Sequence, residues 1–238
     1  MQKSILTLSK LKKASDTVIL ENQLGSGAPL LPTKGSSPNH LQQIPSSLLA
    51  SSTQRVAKDL IGLYLVRYTT PGTMISRIVE TEAYLWKNDT ACHAAKGRTT
   101  RNAAMFSAAG TIYVYSIHHH HCFNIVTGKE GQGSAVLIRA AEPLQGIELM
   151  KQNRPKIKTE DLLRGPGKLC QTLNIDKKIN GAALGTKSGI QIVCGDGLRK
   201  NEQIKTSQRI GVTSAEELLL RFVVRGSPYA SGTKKINR

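Results

Sequence analysis

The sequence predicts an α+β fold, in which antiparallel hairpins are accompanied by a few helices. Strand-like segments with alternating or β-branched residues follow one another across short turns along much of the chain. Separate segments between them have helical spacing and suitable end residues. No internal repeat is present in the sequence.

The first 46 residues differ from the rest of the chain in composition. They mix Ser, Gly, Pro, Asn and Gln with scattered leucines, and residues 25–38 are rich in turn-forming residues. We therefore expect residues 1–46 to be a poorly ordered extension, with a helix-like stretch near residues 6–13. Residues 47–238 then form one domain, since domains cluster near ~100–200 residues.

A helix followed by a hairpin opens the predicted domain. Apolar residues recur at helical spacing after Ser52, a suitable N-cap, and Gly62 is suited to end the helix. Residues 63–68 and 74–84 are strand-like and lie on either side of the turn pair Pro71-Gly72. We expect these two strands to pair with each other.

The remaining elements are a loop, further strands and two helices. Residues 85–110 lack strong periodicity, and we assign them to a loop able to lie over a ligand. Pro143 is suited to open a helix that runs to about Gln152, and Gly165-Pro166 leads into a helix at residues 169–173. Further strands are predicted at residues 111–117, 122–126, 134–141, 189–193, 209–212 and 219–224.

The charge balance of the chain is strongly basic. There are 33 Lys and Arg residues against 16 Asp and Glu residues, which gives a net charge of +17. Such an excess favours a polyanionic partner, with nucleic acid first and an anionic membrane surface second. It does not identify a reaction.

Cysteine usage and hydropathy indicate the compartment. The four cysteines stand far apart without a C-x-x-C pair, which argues against a zinc ribbon or a disulfide framework. No apolar run of ~18 residues occurs, so no membrane span is predicted. We expect an intracellular, cytoplasmic protein.

The residues best suited to catalysis and ligand binding begin in the strand at residues 74–84. Because side chains alternate along a strand, Glu80, Glu82 and Tyr84 share one face. The pattern alone is equally typical of a solvated face. Ring-bearing side chains, an amide and an arginine follow within a short region: His93, Tyr113, Tyr115, Asn124 and Arg139. Together these groups suit the binding of a planar base and the activation of a water beside it.

Five segments, in order, resemble those of a known enzyme family, the alkyladenine (3-methyladenine) DNA glycosylases. They are RIVETEAY at 77–84, GTIYVY at 110–115, AVLIRAAEPL at 135–144, GPGKLC at 165–170 and VRGSP at 224–228. The resemblance covers roughly residues 47–238. It implies a single domain with a curved antiparallel sheet and surrounding helices. It also implies a monofunctional glycosylase that flips out alkylated or deaminated purines during base excision repair.

The resemblance assigns the chemistry at the N-glycosidic bond. Glu82, and not Glu80, matches the family's general base, which deprotonates the water and stabilises the cationic sugar. Arg139 matches the arginine that helps to hold this water, although a structural ion pair with Glu82 is the competing interpretation. The backbone carbonyl of Ile210 matches a third contact of the water.

The resemblance also assigns the base-binding pocket. Tyr84, His93 and Tyr115 match the residues that enclose the extruded base, and flat rings stack without demanding one base. Asn124 matches the amide at the pocket floor, which discriminates against the exocyclic amino group of guanine.

The chain departs from the family between Tyr115 and Asn124, where the segment is one residue shorter than expected. The family has a tyrosine there that wedges into the duplex. Counting forward from Tyr115 places His118 at the wedge position, whereas counting back from Asn124 places Ile117 there. An imidazole can stack, but less extensively than a phenol.

The four consecutive histidines at residues 118–121 are also candidates for binding a metal ion. On a strand only alternate histidines, such as His118 and His120, point to the same side, and no nearby carboxylate pattern completes a site. We therefore predict no metal and no cofactor. A metal-dependent phosphoesterase and a non-catalytic nucleic-acid-binding protein are the two alternative functions.

The final predictions concern DNA. Lys168 follows a helix start with free amides, and we expect it to contact a phosphate. The segment is not a P-loop, because the upstream glycine is missing and Leu169 follows the lysine. We expect a monomer that binds double-stranded DNA containing a damaged purine, has no membrane partner and is associated with the nucleoid.

Overall fold

A computed structural model of the protein describes residues 42–233 and 237. Within this part of the chain, eight strands form one sheet, and each pairing between them is antiparallel. The strands are β1 (Tyr64–Thr69), β2 (Gly72–Tyr84), β3 (Ile112–Ile117), β4 (His120–Thr127), β5 (Ser134–Gln145), β6 (Ile190–Val193), β7 (Ile204–Ser207) and β8 (Arg221–Val224).

A few short helices accompany the sheet. The α-helices are α1 (Ser46–Leu49), α2 (Thr53–Asp59), α3 (Ile147–Asn153) and α4 (Pro166–Thr172). Three 3-10 segments lie at Ala103–Phe106, Thr159–Asp161 and Lys177–Ile179. The predicted α+β class is confirmed, as are the helix after Ser52 and the hairpin of β1 and β2. No helix of the described residues is long and apolar enough to cross a membrane.

Strand β2 lies at the centre of the sheet and is buried along most of its length. Neighbouring strands run in the order β3, β4, β5, β2, β1 and β6, and β8 pairs with both β2 and β7. Strands β1 and β8 thus share one edge of β2, while β5 occupies the other. Register shifts between β2 and β5 at Ile75/Ser76 and near Glu80 bend the sheet, as bulges do. The predicted single domain with a curved sheet is confirmed.

The two faces of β2 have different environments. Thr81, Val79 and Ala83 point to the main core, where the Thr81 hydroxyl donates to the carbonyl of Ala57 in α2 at 2.7 Å. The opposite face carries Tyr84, which packs against a smaller cluster that includes residues of the 85–110 loop. The loop therefore covers the face that bears the candidate site.

The helix predicted to open at Pro143 is wrong in its start. Strand β5 continues through Pro143 to Gln145, and α3 begins at Ile147. Pro143 pairs with Ser76 beside a register shift, where a residue without an N–H group is tolerated. Gly146, with a φ of 75°, then turns the chain, and a Cβ there would lie 2.5 Å from the Thr73 carbonyl oxygen.

The strand predicted at residues 209–212 is also wrong. The strand in this region is β7, which ends at Ser207, and the chain then continues as a loop. Its backbone groups bind side chains instead of a neighbouring strand: the N–H of Ile210 donates to Glu82 and the Ile210 carbonyl accepts from Arg139. These hydrogen bonds to buried side chains take the place of the backbone hydrogen bonds that a strand pairing would provide.

Most of the predicted amino-terminal extension, including residues 6–13, lies outside the described residues. Its last residues are described, and there Gln43 forms a β-bridge with Val193 and Ile44 is buried. The boundary at residue 46 stays a prediction. All four cysteines are free, as expected from their spacing.

Candidate active site

The register of four strands brings the predicted site residues onto one face. Glu82 lies opposite Leu137 of β5, Leu137 lies opposite Asn124 of β4, and Asn124 lies opposite Tyr113 of β3. Paired residues share a face of a sheet, and so do residues two apart along one strand. Arg139 therefore lies on the same face as Leu137 and close to Glu82.

Glu82 is fully buried and has three partners. Its Oε1 accepts a hydrogen bond from the backbone N–H of Ile210 at 2.8 Å. Its Oε2 accepts one from the Tyr84 hydroxyl at 3.0 Å and lies 3.4 Å from Nη1 of Arg139. The alternative of a solvated face for this strand is wrong.

Arg139 connects Glu82 with the loop after β7. Its Nη1 donates to the Ile210 carbonyl at 3.4 Å as well as to Glu82. Burial alone would lower the pKa of Arg139, but the carboxylates of Glu82 and Glu80 outweigh burial and raise that pKa. A carboxylate, a guanidinium donor and a carbonyl acceptor thus converge at one point.

Glu80 occupies a different environment from Glu82, a distinction that the alternation of the strand does not reveal. Its carboxylate accepts hydrogen bonds from Nε of Arg221 at 2.6 Å and from the backbone N–H and the hydroxyl of Ser231 at 2.6 and 2.9 Å. Nε of Arg139 lies 3.1 Å from it. Both oxygens of Glu80 are therefore occupied by protein groups.

A cavity of about 290 Å³ opens beside this cluster. All four predicted pocket residues, Tyr84, His93, Tyr115 and Asn124, line it. Glu82 and Arg139 do not line the cavity, and Tyr84 connects it with Glu82 through the hydroxyl. The remaining wall residues are Thr90, Ala91, Met105, Tyr113, Ile117, Gly211, Val212, Thr213 and Ser214.

Three aromatic rings meet on one side of the cavity. The rings of His93 and Tyr115 are 4.5 Å apart at an angle of 75°, and Nδ1 of His93 lies 2.9 Å from the Tyr113 hydroxyl. Partial burial of the ring, followed by the charge of Arg101, lowers the pKa of His93. Burial raises the pKa of Tyr113 to about 12. The cavity therefore presents a neutral imidazole and neutral phenols at neutral pH.

Asn124 has a fixed orientation at the cavity. Its amide nitrogen donates to the carbonyls of Tyr113 and Cys122 at 3.1 and 3.2 Å. Both donors of the amide are therefore occupied, and Oδ1 is the atom left for a ligand. Tyr113 is one of the ring-bearing groups noted in the sequence, but the resemblance did not assign it to the pocket, although its alternation with Tyr115 places both on this face.

Apart from the carbonyl of Ile210, the wall that follows β7 was not predicted from the sequence. Arg209 lies over the ring of Tyr84, with its guanidinium carbon 4.7 Å from the ring centre, and donates to both oxygens of Asp89 at 2.7 Å. Burial, followed by the charge of Glu82, raises the pKa of Tyr84. Residues 211–214 then continue along the cavity. These residues were not predicted to line the cavity, because residues 209–212 were interpreted as a strand.

The run of histidines forms the β3–β4 hairpin. His118 and His119 are the two turn residues, with φ values of 46° and 64°, and Ile117 pairs with His120. Ile117 is 47% exposed and lines the cavity, whereas His118 does not. Among the described residues, no three His, Cys, Asp or Glu side chains are grouped to hold a metal ion.

Lys168 lies apart from the cavity of Tyr84, in α4. It lines a second surface depression together with His120, Arg154 and Arg164. Gly165 and Pro166 form the start of the helix, as predicted from the sequence. The hairpin of histidines lies between the two depressions, since Ile117 borders one and His120 the other.

Comparison with known proteins gives consistent matches. A relative from Francisella tularensis subsp. tularensis (strain SCHU S4 / Schu 4) is 44% identical over 187 residues, which cover 78% of this chain and 96% of the relative. A relative from Carboxydothermus hydrogenoformans is 43% identical over 189 residues, covering 79% and 98%. A relative from Methanocella arvoryzae is 43% identical over 193 residues, covering 79% and 95%. Each is named provisionally as a 3-methyladenine DNA glycosylase.

The model of one protein family, described as methylpurine-DNA glycosylase, matches residues 47–228. This range contains every predicted site residue and ends shortly before Ser231. The chain therefore belongs to the methylpurine-DNA glycosylase family, DNA-repair enzymes of base excision that bind DNA and hydrolyse N-glycosidic bonds.

Proposed function

We propose that this glycosylase removes alkylated or deaminated purines, of the 3-methyladenine and hypoxanthine type, from double-stranded DNA. The damaged nucleotide leaves the duplex and its base enters the cavity lined by Tyr84, His93, Tyr115 and Asn124. The observation that carries this proposal is the convergence of Glu82, Arg139 and the Ile210 carbonyl beside that cavity.

In the proposed reaction, Glu82 acts as the general base. Its carboxylate deprotonates a water and stabilises the positive charge that gathers on the sugar. Arg139 and the Ile210 carbonyl hold the water with one donor and one acceptor. Because Glu82 is fully buried, its charge acts in an environment with little screening by solvent.

Water as the nucleophile follows from the residues around the cavity. No lysine is present among the described residues that line it, so no Schiff-base nucleophile is at hand. We therefore expect an abasic site as the product, without strand cleavage. Ends produced by β-elimination would contradict this monofunctional mechanism.

Asn124 is proposed to select the base. Because its donors are occupied by two carbonyls, Oδ1 faces the ligand and the amide cannot move aside freely. An exocyclic amino group such as that of guanine then meets a crowded, fixed wall. We expect Asn124→Ser to increase release of guanine relative to hypoxanthine.

The tip of the β3–β4 hairpin is proposed to fill the space left by the flipped nucleotide. The two candidates are Ile117, which is exposed at the cavity, and His118, the first turn residue. A 2-aminopurine placed beside an inosine reports unstacking by its fluorescence. Loss of the signal in Ile117→Ala but not in His118→Ala would assign the wedge to Ile117, and the reverse would assign it to His118.

Lys168 is proposed to contact a DNA phosphate, supported by its position beside Arg154 and Arg164. Lys168→Gln should weaken DNA binding equally for all sequences and reduce the salt slope of log K by about one. We also propose that the protein acts on DNA as a monomer, and analytical ultracentrifugation would measure its oligomeric state. Association with the nucleoid stays a prediction from the basic charge.

The central experiment compares wild type with Glu82→Gln on inosine-containing and methylated duplexes in EDTA. We expect wild type to release the base and Glu82→Gln to react at least about 100-fold more slowly in single turnover, since general bases contribute 10²–10⁴-fold. Glu130→Gln, at an exposed carboxylate that does not line the cavity, serves as the matched control. Equal rates for wild type and Glu82→Gln would refute the assignment of the base.

A further inference from the structure

Ser231 stands behind the candidate active site, beyond the residues that the family match covers. It follows β8 and is 4% exposed. It does not line the cavity, and its side chain contacts Glu80 and Arg139, of which Arg139 also contacts Glu82.

The hydroxyl of Ser231 accepts the hydrogen bond that Nε of Arg139 donates. Nε of an arginine carries a single hydrogen, and in Arg139 it points to Oγ of Ser231 at 2.9 Å. The contact of the same Nε with Glu80, at 3.1 Å, is an ion pair without that hydrogen. The other end of the guanidinium, Nη1, faces Glu82 and the Ile210 carbonyl.

Ser231 is itself held at three atoms. Its N–H and its hydroxyl donate to the two oxygens of Glu80 at 2.6 and 2.9 Å. Its carbonyl accepts hydrogen bonds from the Asn237 amide at 2.9 Å and from Arg221 at 3.4 Å. A hydroxyl with one donor and two acceptor sites suits this place, because it donates to Glu80 and accepts from Arg139 together.

We propose that Ser231 is a positioning residue of the glycosylase, which fixes Nε of Arg139 so that Nη1 stays directed at Glu82. This inference rests on the proposed function, in which Arg139 and Glu82 hold the attacking water. Removal of the hydroxyl leaves the guanidinium free to rotate about its ion pairs, since an ion pair sets direction less strictly than a hydrogen bond does.

The test uses the full chain and a duplex methylated with dimethyl sulfate. Ser231→Ala keeps the backbone N–H bond to Glu80 and loses only the hydroxyl contacts. We expect the single-turnover rate of base release to fall about tenfold, as for one lost hydrogen bond to a charged group. The Kd for the same DNA should not change. Ser231→Thr keeps a hydroxyl and should recover most of the rate.

Ser227→Ala is the matched control in the same segment. The Ser227 hydroxyl accepts from the N–H of Tyr229 at 3.3 Å and lies outside the cluster of Glu80 and Arg139. We expect the wild-type rate from this variant. A loss as large as that of Ser231→Ala would show that any change in the segment slows the enzyme, and would overturn the inference.

A double-mutant cycle separates positioning from general stability. If Ser231 acts through Arg139, then Ser231→Ala should cause no further loss of rate in an Arg139→Gln background. Losses of rate that multiply in the double variant would overturn the inference. An unchanged rate in Ser231→Ala would overturn it too, and so would a loss of rate that occurs only near the Tm of the variant and disappears at lower temperature. A wild type that releases no methylated purine would refute the proposed function itself, together with this inference.

Discussion

Arg209 and Asp89 form a bidentate ion pair, with both hydrogen bonds at 2.7 Å and no exposed surface on either side chain. The pair joins the loop after β2 to the loop after β7. Arg209 also lies over the ring of Tyr84 and donates to the Ala83 carbonyl at 3.1 Å. Two segments far apart in sequence are thereby fixed on either side of one cavity wall.

Loss of this ion pair should make the protein less stable to unfolding. We expect Asp89→Ala to lower the free energy of unfolding by about 3–5 kcal/mol, because Arg209 is then left buried without its partner. Asp59, paired with the exposed Arg55, is the matched control, and Asp59→Ala should cost less than about 1 kcal/mol. Urea unfolding measures both. Similar losses for the two variants would contradict a special role of the buried pair.

The sheet was predictable where side-chain alternation and turns act locally. The hairpin of β1 and β2 needs only two strand-like segments and a turn between them, so the sequence contains its whole signal. Pro143 was misjudged because proline starts helices and also tolerates bulges, and the choice depends on the register with Ser76. The pairing of β8 with both β2 and β7 is non-local and has no signal in either segment.

Gly133 is required where the 85–110 loop packs against the sheet. It has a φ of 68°, and a Cβ there would lie 2.7 Å from the Ala94 Cβ and 2.9 Å from the Phe106 ring. We expect Gly133→Ala to cost about 2–5 kcal/mol, the sum of left-handed strain and overpacking. Gly131 has a φ of 86° and nothing within 4 Å, so Gly131→Ala should cost only about 1–2 kcal/mol. Thermal unfolding compares them, and a larger loss at Gly131 would be inconsistent with the packing.

The site was less predictable than the fold. Alternation placed Glu80 and Glu82 on one face, but their different partners depend on Ser231 and Ile210, which come from distant parts of the chain. The family resemblance was needed to choose Glu82. Arg209 was hidden for a related reason: its neighbours look strand-like, but the backbone of Ile210 binds Glu82 and Arg139, and the guanidinium of Arg209 binds Asp89.

The turn of the β3–β4 hairpin contains avoidable backbone strain. His118 and His119 both have positive φ, the geometry of a type I′ turn, for which Asn-Gly is the preferred pair. We expect the double variant His118→Asn/His119→Gly to raise the free energy of unfolding by about 1 kcal/mol. His118→Ala/His119→Ala, which lacks this adaptation, should not. A lower urea midpoint in the Asn-Gly variant than in wild type would argue against this turn geometry.

His93 should make stability depend on pH. Partial burial and the charge of Arg101 lower its pKa from the ordinary 6.5, so the unfolded chain takes up a proton at a higher pH than the folded chain does. The contribution to stability is complete above about pH 6.5 and is lost as the pH falls below it. Urea midpoints at about pH 7.5 and 5.5 should therefore differ more for wild type than for His93→Gln. Arg101→Gln, which removes the second cause alone, should lie between the two, and equal acid losses in all three proteins would refute this role of His93.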